Sequence, residues 1–439
     1  MTERPIIPIQ AFNYDLPDAC IAYTPASNRA ASKLLVWDKT IIAESTYEHI
    51  AQFIPEKSTL LFNNSKVIAA RILFEKNNAN EAPAFVNTAA KKDTVIEIFC
   101  LEPSRNYSPV AIAMQAMHKV EWICLVGGAK KWKQGLLEKS FILKGAEVKV
   151  FAKKMEAIDG KFLIEFTWEG PIHFSEIIQH IGNIPLPPYI QREATADDKD
   201  RYQTTYAIEE GSVAAPTAGL HFNESIFNSL AKKNIHSEFL TLHVGAGTFL
   251  PVKTENISEH PMHAEFFEVP KQVIDYLLKK EIEKENIGDN EKPAPIISVG
   301  TTTLRTTESL YWLGAKLIQL KKTTSAEEWS SIDLKLFQWE AYELSQFSIS
   351  NKEALSALIE WMDNKKISKL ISSTQLMIVP GYTFKLCNGL ITNFHQPKST
   401  LLLIIAAITG DKWKSIYHHA LAQGYRFLSY GDGSLFWIS

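Results

Sequence analysis

Residues 211–249 read GSVAAPTAGLHFNESIFNSLAKKNIHSEFLTLHVGAGTF, which predicts a loop, a helix, a strand and a second loop. The first loop carries the small residues Pro216–Gly219 and then His221, close to a helix N-terminus. Free N–H groups at such a position can donate hydrogen bonds to an anion. Asn223 is a favoured N-cap residue for that helix. After it, Ile226, Phe227 and Leu230 recur at helical spacing. The stretch therefore predicts an α/β unit with a polar loop.

The strand of this unit, Ser237–Val244, is predicted from alternation. One face carries Leu240, Leu242 and Val244, and the other carries Phe239, Thr241 and His243. His243 therefore comes at the end of the strand, just before Gly245 and Gly247. In open α/β sheets that end is where ligands bind.

Two further units repeat the order of strand, polar loop and helix. Strand Ile296–Val299 precedes a Gly/Thr turn and a helix to about Leu313, and strand Leu386–Thr392 precedes an apolar helix at Leu401–Ile408. A last strand is predicted at Tyr425–Ser429. Because such loops meet at one sheet edge, we expect a shared site. Its predicted members are His221, His243, His263, Arg305, His395, Lys398 and Asp432.

The pattern changes between about residues 95 and 168. Short β-type runs recur there, separated by turns with Gly, Pro or Lys, and no helical stripe lasts more than a couple of turns. This predicts a small all-β module, a barrel or sandwich, within a mixed α/β chain. Its turn at 127–133 holds three lysines and a tryptophan, which suits either an RNA backbone or a solvated hairpin end. Residues 315–373 are interpreted as a peripheral helical insertion.

Composition narrows the class of protein. The 439 residues carry a net charge of −3, so any nucleic-acid surface must be local. The four cysteines show no CxxC pairing, which is typical of reduced, buried thiols in a cytosolic protein. The N-terminus lacks a signal peptide, and the longest apolar run is too short to cross a bilayer. A cytoplasmic protein without a membrane span is predicted.

Several familiar motifs fail at single positions. Pro397 stands where a Walker A loop needs Gly before Lys398, and Phe427 replaces the first Gly of a nucleophile elbow around Ser429. The His260–Glu265 segment lacks HExxH, and Pro261 argues against a metal-binding helix. No metal is therefore predicted, and these side chains suit acid–base chemistry or hydrogen bonding better.

Nine segments together resemble one known family. They are LPPYI (186–190), RYQTTYA (201–207), AAPTAGLHF (214–222), LHVGAGTF (242–249), HPMHAEFFEV (260–269), SVGTTTLRTTES (298–309), PGYTFK (380–385), TNFHQPKST (392–400) and YRFLSYGDG (425–433). In this order they resemble the S-adenosylmethionine:tRNA ribosyltransferase-isomerase family of queuosine biosynthesis, over most of the chain.

The resemblance implies a fold and a reaction. The fold is a large mixed α/β catalytic domain, expected at residues 1–71 and 169–439, with a small β-barrel domain inserted at 72–168. In the reaction, the ribosyl part of S-adenosylmethionine is transferred to 7-aminomethyl-7-deazaguanine at the wobble position of tRNA and isomerised. Epoxyqueuosine-tRNA forms, and adenine and methionine leave. S-adenosylmethionine is then a co-substrate, tRNA is the partner, and no tightly bound cofactor is implied.

Site residues follow from the loop positions within the resemblance. His243 and His263 are expected as general base and acid, with His221 and Asp432 as further catalytic groups. Arg305 and Lys398 suit a carboxylate or a phosphate. The other expected substrate-binding residues are Arg71, Arg201, Tyr202, Thr217, Gly245, Gly247, Glu265, Thr301, Thr302 and His395.

One of the departures from the usual family sequence lies in an N-terminal turn. The family usually has N-D-T-R-V-x-P-A-R, whereas this chain has Asn64, Lys66 and Ala69 at the acidic, arginine and proline positions and keeps Arg71. Losing the acid removes an anionic acceptor, and lysine lacks the bidentate fork of arginine. Two alternatives therefore stay open: a divergent tRNA-binding paralogue without activity or with altered specificity, and an unrelated hydrolase or small-molecule transferase on the same loops.

Overall fold

The computed structural model describes residues 5–76, 94–245, 251–286 and 292–438. The chain divides into two compact units. The first comprises Met1–Ser65, Arg201–Ile208 and Pro216–Ser439, and the second comprises Lys66–Asp200 and Glu209–Ala215.

Strands are found in both units. In chain order they are β1 (Lys33–Trp37), β2 (Ile42–Thr46), β3 (Thr59–Asn63), β4 (Ser65–Val67), β5 (Arg71–Lys76), β6 (Thr94–Pro103), β7 (Lys119–Gly127), β8 (Leu136–Leu143), β9 (Ala146–Ile158), β10 (Lys161–Trp168), β11 (Gly182–Asn183), β12 (Glu209–Ser212), β13 (His236–Leu242), β14 (Glu265–Pro270), β15 (Ile296–Val299), β16 (Lys335–Leu336), β17 (Lys369–Thr374), β18 (Gly389–Asn393) and β19 (Gly433–Trp437).

Helices connect many of these strands. They are α1 (Val110–Gln115), α2 (Phe174–Ile181), α3 (Ala196–Arg201), α4 (Glu224–Lys232), α5 (Lys271–Glu285), α6 (Thr301–Lys321), α7 (Ala326–Ser331), α8 (Glu340–Leu344), α9 (Asn351–Asn364), α10 (Thr400–Thr409) and α11 (Trp413–Ala422). The Asn223 side chain accepts a hydrogen bond from the Ile226 N–H and so caps α4, as its position predicts.

The first unit is built on a large mixed sheet, which confirms the predicted mixed α/β class. Among the described residues its order is β16-β17-β14-β13-β3-β15-β18-β19-β1-β2. The four neighbours β13, β3, β15 and β18 run parallel. Because parallel strands covered on both faces are apolar throughout, the fully buried sequence TLLFN of β3 fits its central place.

One face of this sheet, here called the α4 face, holds a hydrophobic core. Ile226 and Leu230 of α4 pack there with Phe62, Val299 and residues of the flanking strands. The strand register places Phe239 beside Phe62, on this same face. Alternation then puts Thr241 and His243 on the α4 face as well, as the sequence predicts.

The second unit contains a curled antiparallel sheet. Among its described residues the order is β11-β5-β6-β7-β10-β9-β8. The curl brings β8 near β5, where Lys139 Nζ donates a hydrogen bond to the Leu73 carbonyl at 2.8 Å. The sheet includes the predicted β-type runs between residues 95 and 168, so these are confirmed as strands of an antiparallel sheet, but the region is not all-β, because α1 lies between β6 and β7. Strands β4 and β12 form a separate two-stranded sheet.

Three expectations from the sequence are wrong, two about secondary structure and one about the burial of the cysteines. The last strand is β19 and not Tyr425–Ser429, where only an isolated bridge joins Phe427 to Ile21. The segment 315–373 is not wholly helical, because β16 and β17 within it pair at the edge of the large sheet. Among the cysteines, Cys20 is half-buried, whereas the other three are buried.

Within the described ranges, no helix combines the length and the apolarity that crossing a bilayer requires.

Candidate active site

The loops singled out from the sequence meet at one edge of the large sheet. The parallel strands β13, β3, β15 and β18 end there. Antiparallel pairing brings the start of β14 beside the end of β13, and Gly433 of β19 beside Asn393 of β18. The edge is long, since three strand spacings, roughly 14 Å, separate β13 from β18. Whether the predicted residues share one cavity along it stays a prediction.

His243 lies directly after β13 and is fixed by its backbone. Its N–H donates to the Phe266 carbonyl of β14 at 3.0 Å. The Asn63 side chain bonds both the N–H and the carbonyl of Leu242, at 3.0 and 2.9 Å. These contacts extend the strand pairing by one residue, so His243 stands opposite Phe266 on the α4 face.

The His243 imidazole is largely buried and incompletely bonded. Its Nδ1 has no hydrogen-bond partner among the described residues. Burial lowers the pKa of His243, and the carboxylate of Glu268 on the same face opposes that effect. A neutral imidazole with an open ring nitrogen is the form that can accept a proton.

Arg305 and Glu265 form a buried ion pair on the opposite face of the sheet. Arg305 Nη1 lies 2.6 Å from Glu265 Oε2, and Arg305 Nε donates to the Leu376 carbonyl at 3.2 Å. Glu265 directly precedes Phe266 in β14, so the alternation of side chains points Glu265 away from the face that carries His243. Arg305 Nη2 is buried without a hydrogen-bond partner in the described part of the chain.

His221 belongs to a polar cluster above β18 and β19. It ends the 3₁₀ helix Thr217–His221 and stacks on the Tyr47 ring, with centroids 4.1 Å apart. Asn393 Nδ2 lies 3.4 Å from His221 Nε2, and Asn393 Oδ1 accepts from the Thr217 hydroxyl at 2.8 Å. Burial lowers the pKa of His221 to about 3. The cluster therefore holds a neutral imidazole in a fixed plane.

Asp432 is buried beside this cluster and engaged by backbone. Its Oδ1 accepts from the Lys33 N–H at 2.9 Å, and its Oδ2 accepts from the Arg426 N–H at 2.7 Å. Both oxygens therefore fix the turn before β19 and the start of β1. This arrangement suits a positioning residue better than a group that moves protons.

The loop after β18 places His395 inside the protein and Lys398 at a turn. His395 Nε2 lies 3.1 Å from the Thr392 hydroxyl, and burial lowers the pKa of His395 to about 3. Tyr14 donates its hydroxyl hydrogen to the His395 carbonyl at 2.5 Å. Lys398 adopts a positive φ of 54°, and its N–H bonds the Phe12 carbonyl at 3.0 Å.

His263 differs from the other histidines because it is exposed. It lies two residues before β14 and beside His260, whose pKa is lowered by burial and then by the charge of His263. The segment is held by Gln338, whose Nε2 donates to the His260 carbonyl at 2.7 Å.

The remaining predicted residues are spread along the chain. Thr301 and Thr302 are buried in the first turn of α6, and Gly245 is half-buried. Arg201 donates to the Ala26 carbonyl, and the buried Tyr202 packs its ring against Tyr430. Arg71 lies in the second unit, where it pairs with Glu97 at 2.8 Å. Gly247 lies outside the described residues.

Sequence reasoning missed three residues that position this edge. Asn63 is the last residue of the buried strand β3, and a side-chain amide at the end of a buried run is a signal for such a contact. Asn393 has the same signal, since it ends β18 next to His395. Tyr47 had no signal, because its stacking on His221 joins residues 174 positions apart.

In the described part of the chain, no three His, Cys, Asp or Glu side chains stand where they could hold a metal ion.

A family model described as queuosine biosynthesis protein matches residues 9–436 of the chain. The chain belongs to this family. Two relatives named S-adenosylmethionine:tRNA ribosyltransferase-isomerase cover 97% of the chain and 99% of their own length. The relative from Halothermothrix orenii is 33% identical over 430 residues, and that from Staphylococcus epidermidis is 32% identical over 432. Membership in the queuosine biosynthesis family and the class of enzyme, predicted from the nine segments, are thereby confirmed.

A solved structure was also matched. It is the crystal structure of S-adenosylmethionine tRNA ribosyltransferase from Thermotoga maritima, 23% identical, which covers 97% of this chain and 99% of that chain with a TM-score of 0.42.

Proposed function

We propose that this enzyme transfers the ribosyl part of S-adenosylmethionine to 7-aminomethyl-7-deazaguanine at the wobble position of tRNA and isomerises it. Epoxyqueuosine-tRNA forms, and adenine and methionine leave. The names of the two full-length relatives support the substrates, S-adenosylmethionine and tRNA. The observation that carries the chemistry is the buried Nδ1 of His243, which has no hydrogen-bond partner among the described residues, at the carboxyl end of a central strand.

His243 is the proposed general base. The sulfonium of S-adenosylmethionine acidifies the neighbouring C5′ protons, and a base must remove one of them. Because burial lowers the pKa of His243, its imidazole is neutral at pH 7 and ready to accept that proton. The backbone contacts through Asn63 and Phe266 hold the ring in place for this transfer.

His263 is the proposed acid that protonates the departing adenine. His221 and His395 suit this role poorly, because burial lowers the pKa of each to about 3 and leaves them uncharged at pH 7. His263 is exposed and stands at the same sheet edge as His243, just before β14. His221 and Asp432 then act through position: His221 through its stack on Tyr47, and Asp432 through the two backbone amides that it accepts.

Arg305 is the proposed contact for the methionine carboxylate. Its Nη2 is buried without a hydrogen-bond partner in the described part of the chain, while Glu265 and the Leu376 carbonyl hold the rest of the guanidinium, so this donor is already oriented for a carboxylate that reaches it. Thr301, Thr302 and Gly245 supply hydroxyl and backbone donors. The predicted roles of Arg71, Arg201, Tyr202, Thr217, Gly247, His395 and Lys398 in substrate binding belong to the same proposal.

The proposal includes the division of the chain into domains. We assign catalysis to the domain expected at residues 1–71 and 169–439, and we interpret the curled sheet, whose strands β6 to β10 lie within 72–168, as the small β-barrel of the family. The contact between Lys139 and Leu73 supports closure of that sheet. A cytoplasmic location, without a tightly bound cofactor or metal, completes the proposed description.

An adenine-release assay tests this function. Purified enzyme is incubated with S-adenosylmethionine and either tRNA carrying 7-aminomethyl-7-deazaguanine, the same tRNA with guanine at that position, or no tRNA. Release only with the deazaguanine tRNA is expected. No release together with salt-sensitive tRNA binding would indicate a non-catalytic paralogue. Release that ignores tRNA would indicate a small-molecule enzyme.

The alternative of a divergent paralogue is based on the altered N-terminal turn. Asn64 Oδ1 accepts from the Thr241 hydroxyl at 2.8 Å, and Lys66 pairs with Glu210 at 3.0 Å. Both replacements are therefore accommodated by local partners. Because Thr241 shares the strand and the face of His243, Asn64 replaces the usual acid close to the proposed base.

A further inference from the structure

The sheet face beside His243 carries an exposed aromatic ring. Phe266 is 40% exposed, although its neighbours Glu265 and Phe267 in β14 are buried. Its carbonyl accepts the N–H of His243, and the register places the two side chains next to each other on the α4 face. Directly opposed residues of antiparallel strands have Cβ atoms about 5 Å apart, so a ligand on this ring lies within reach of the imidazole.

The α4 face loses its cover between β13 and β14. Over β3, the rings of Tyr206, Phe222 and Phe227 pack on Phe62. Beyond β13 this cover is incomplete, because Phe266 of β14 is 40% exposed and Ile371 of β17, diagonally across from it, is 51% exposed, although Glu268 between them is buried. Single exposed apolar side chains are ordinary. Here two of them, Phe266 and Ile371, lie on the neighbouring strands β14 and β17 of the face that carries the His243 imidazole, and they are called the platform below.

A charged residue borders this platform. Lys369 of β17 lies on the same face, with its side chain 42% exposed, and its Nζ is 2.8 Å from Glu268 Oε2. The pair therefore presents a cation at the rim while the carboxylate lies deeper, with its side chain 12% exposed. An apolar ring with a neighbouring cation matches a nucleobase and its phosphate.

We propose that Phe266 is the stacking platform for an unpaired nucleobase of the tRNA. This inference rests on the proposed function and deepens it, since it names the contact that brings the RNA to His243. An aromatic ring binds the face of a base and leaves its edge free, so the reacting substituent can turn toward the imidazole. The adenine of S-adenosylmethionine is a poorer occupant, because small co-substrates bind in enclosed pockets and this surface is open.

The test compares Phe266→Ala and Phe266→Trp with Phe347→Ala as the matched control. Phe347 is 39% exposed and lies after α8, away from β14. Direct binding of an anticodon stem-loop RNA is measured by fluorescence anisotropy without S-adenosylmethionine, beside a fully paired RNA duplex. A stack contributes on the order of tenfold in affinity. Phe266→Ala is therefore expected to raise the stem-loop Kd about tenfold and to leave the duplex Kd unchanged, whereas Phe266→Trp and Phe347→Ala bind as the wild type does.

Kinetics separate this inference from the proposed function. In the adenine-release assay, Phe266→Ala is expected to raise the KM for tRNA about tenfold and to keep the KM for S-adenosylmethionine. A KM shift for S-adenosylmethionine alone, or unchanged stem-loop binding, overturns the stacking role. If the wild type releases no adenine while stem-loop binding still depends on Phe266, the proposed reaction fails and the stacking contact stands.

Discussion

Arg305 Nη1 donates a hydrogen bond to Glu265 Oε2 at 2.6 Å, and the two side chains are only 5% and 6% exposed. This pair joins α6 to the start of β14 at the sheet edge where the predicted site lies. A buried charge without its partner is strongly unfavourable, so the pair fixes both elements relative to each other.

Glu265→Gln is expected to lower the free energy of unfolding by about 3–5 kcal/mol, because it leaves the Arg305 charge buried and uncompensated. Urea denaturation measures the change. The control is Glu360→Gln, which breaks the exposed pair of Lys321 and Glu360 at 2.6 Å and is expected to cost less than about 1 kcal/mol. Equal losses in the two variants would show that the buried pair contributes no more than a surface pair.

The buried histidines make folding sensitive to acid. Burial lowers the pKa of His395 to about 3, whereas an unfolded histidine titrates near 6.5. Between these values the unfolded chain binds a proton that the folded chain does not, so stability is lost as the pH falls below about 6.5. At pH 5 the loss for one such group is about 2 kcal/mol.

His395→Gln removes this titration. Its free energy of unfolding is expected to fall by about 2 kcal/mol less between pH 7.5 and 5 than that of the wild type. The control is His418→Gln, at an exposed position on α11, which should keep the full pH dependence. If His395→Gln loses as much stability as the wild type over this range, the imidazole is not held neutral by burial.

Asp432→Asn separates positioning from proton transfer. An amide keeps one acceptor oxygen, so either the Lys33 or the Arg426 N–H loses its partner, at a cost of about 1–3 kcal/mol. We expect a lower Tm and a turnover loss well below the ~100-fold that accompanies loss of a general acid or base. A large fall in kcat with an unchanged Tm would return Asp432 to the proton-transfer chemistry.

Asn64→Asp restores the acid that the family usually has in this turn. The Thr241 hydroxyl can still donate to the new carboxylate, so the fold is expected to tolerate it. A negative charge beside the strand of His243 favours the imidazolium and raises the pKa of that histidine. The acid limb of the kcat/KM profile should therefore move to higher pH, with Asn64→Ser as the uncharged control. An unmoved acid limb would mean that His243 is not the group that titrates in the profile.

The local features of this site could be predicted from the sequence, and its long-range contacts could not. Alternation in β13 gave the correct face for His243, because side-chain period in a strand is a local property. The Asn223 cap of α4 and the start of α6 directly after Gly300 are local in the same sense. Tyr47 against His221, and Asn393 against His221, join residues far apart along the chain, so no local pattern carries them.

The errors have physical reasons too. Tyr425–Ser429 is rich in β-forming residues, but the Asp432 carboxylate draws the Arg426 N–H into a turn, and pairing resumes only at Gly433. Strand β17 directly follows α9 and lies at the end of the segment predicted as helical, and it is stabilised by pairing with β14 and β16. The formation of such a strand depends on its partners more than on its own composition.

The most direct test of the account follows the ribosyl carbons. S-adenosylmethionine labelled in its ribosyl part is reacted with tRNA carrying 7-aminomethyl-7-deazaguanine, using the wild type and His243→Ala. In the wild-type reaction, label is expected to enter the tRNA in step with adenine release. His243→Ala is expected to fold normally but to turn over at least about 100-fold more slowly. Adenine release without label in the tRNA, or near-wild-type turnover by His243→Ala, would contradict the account.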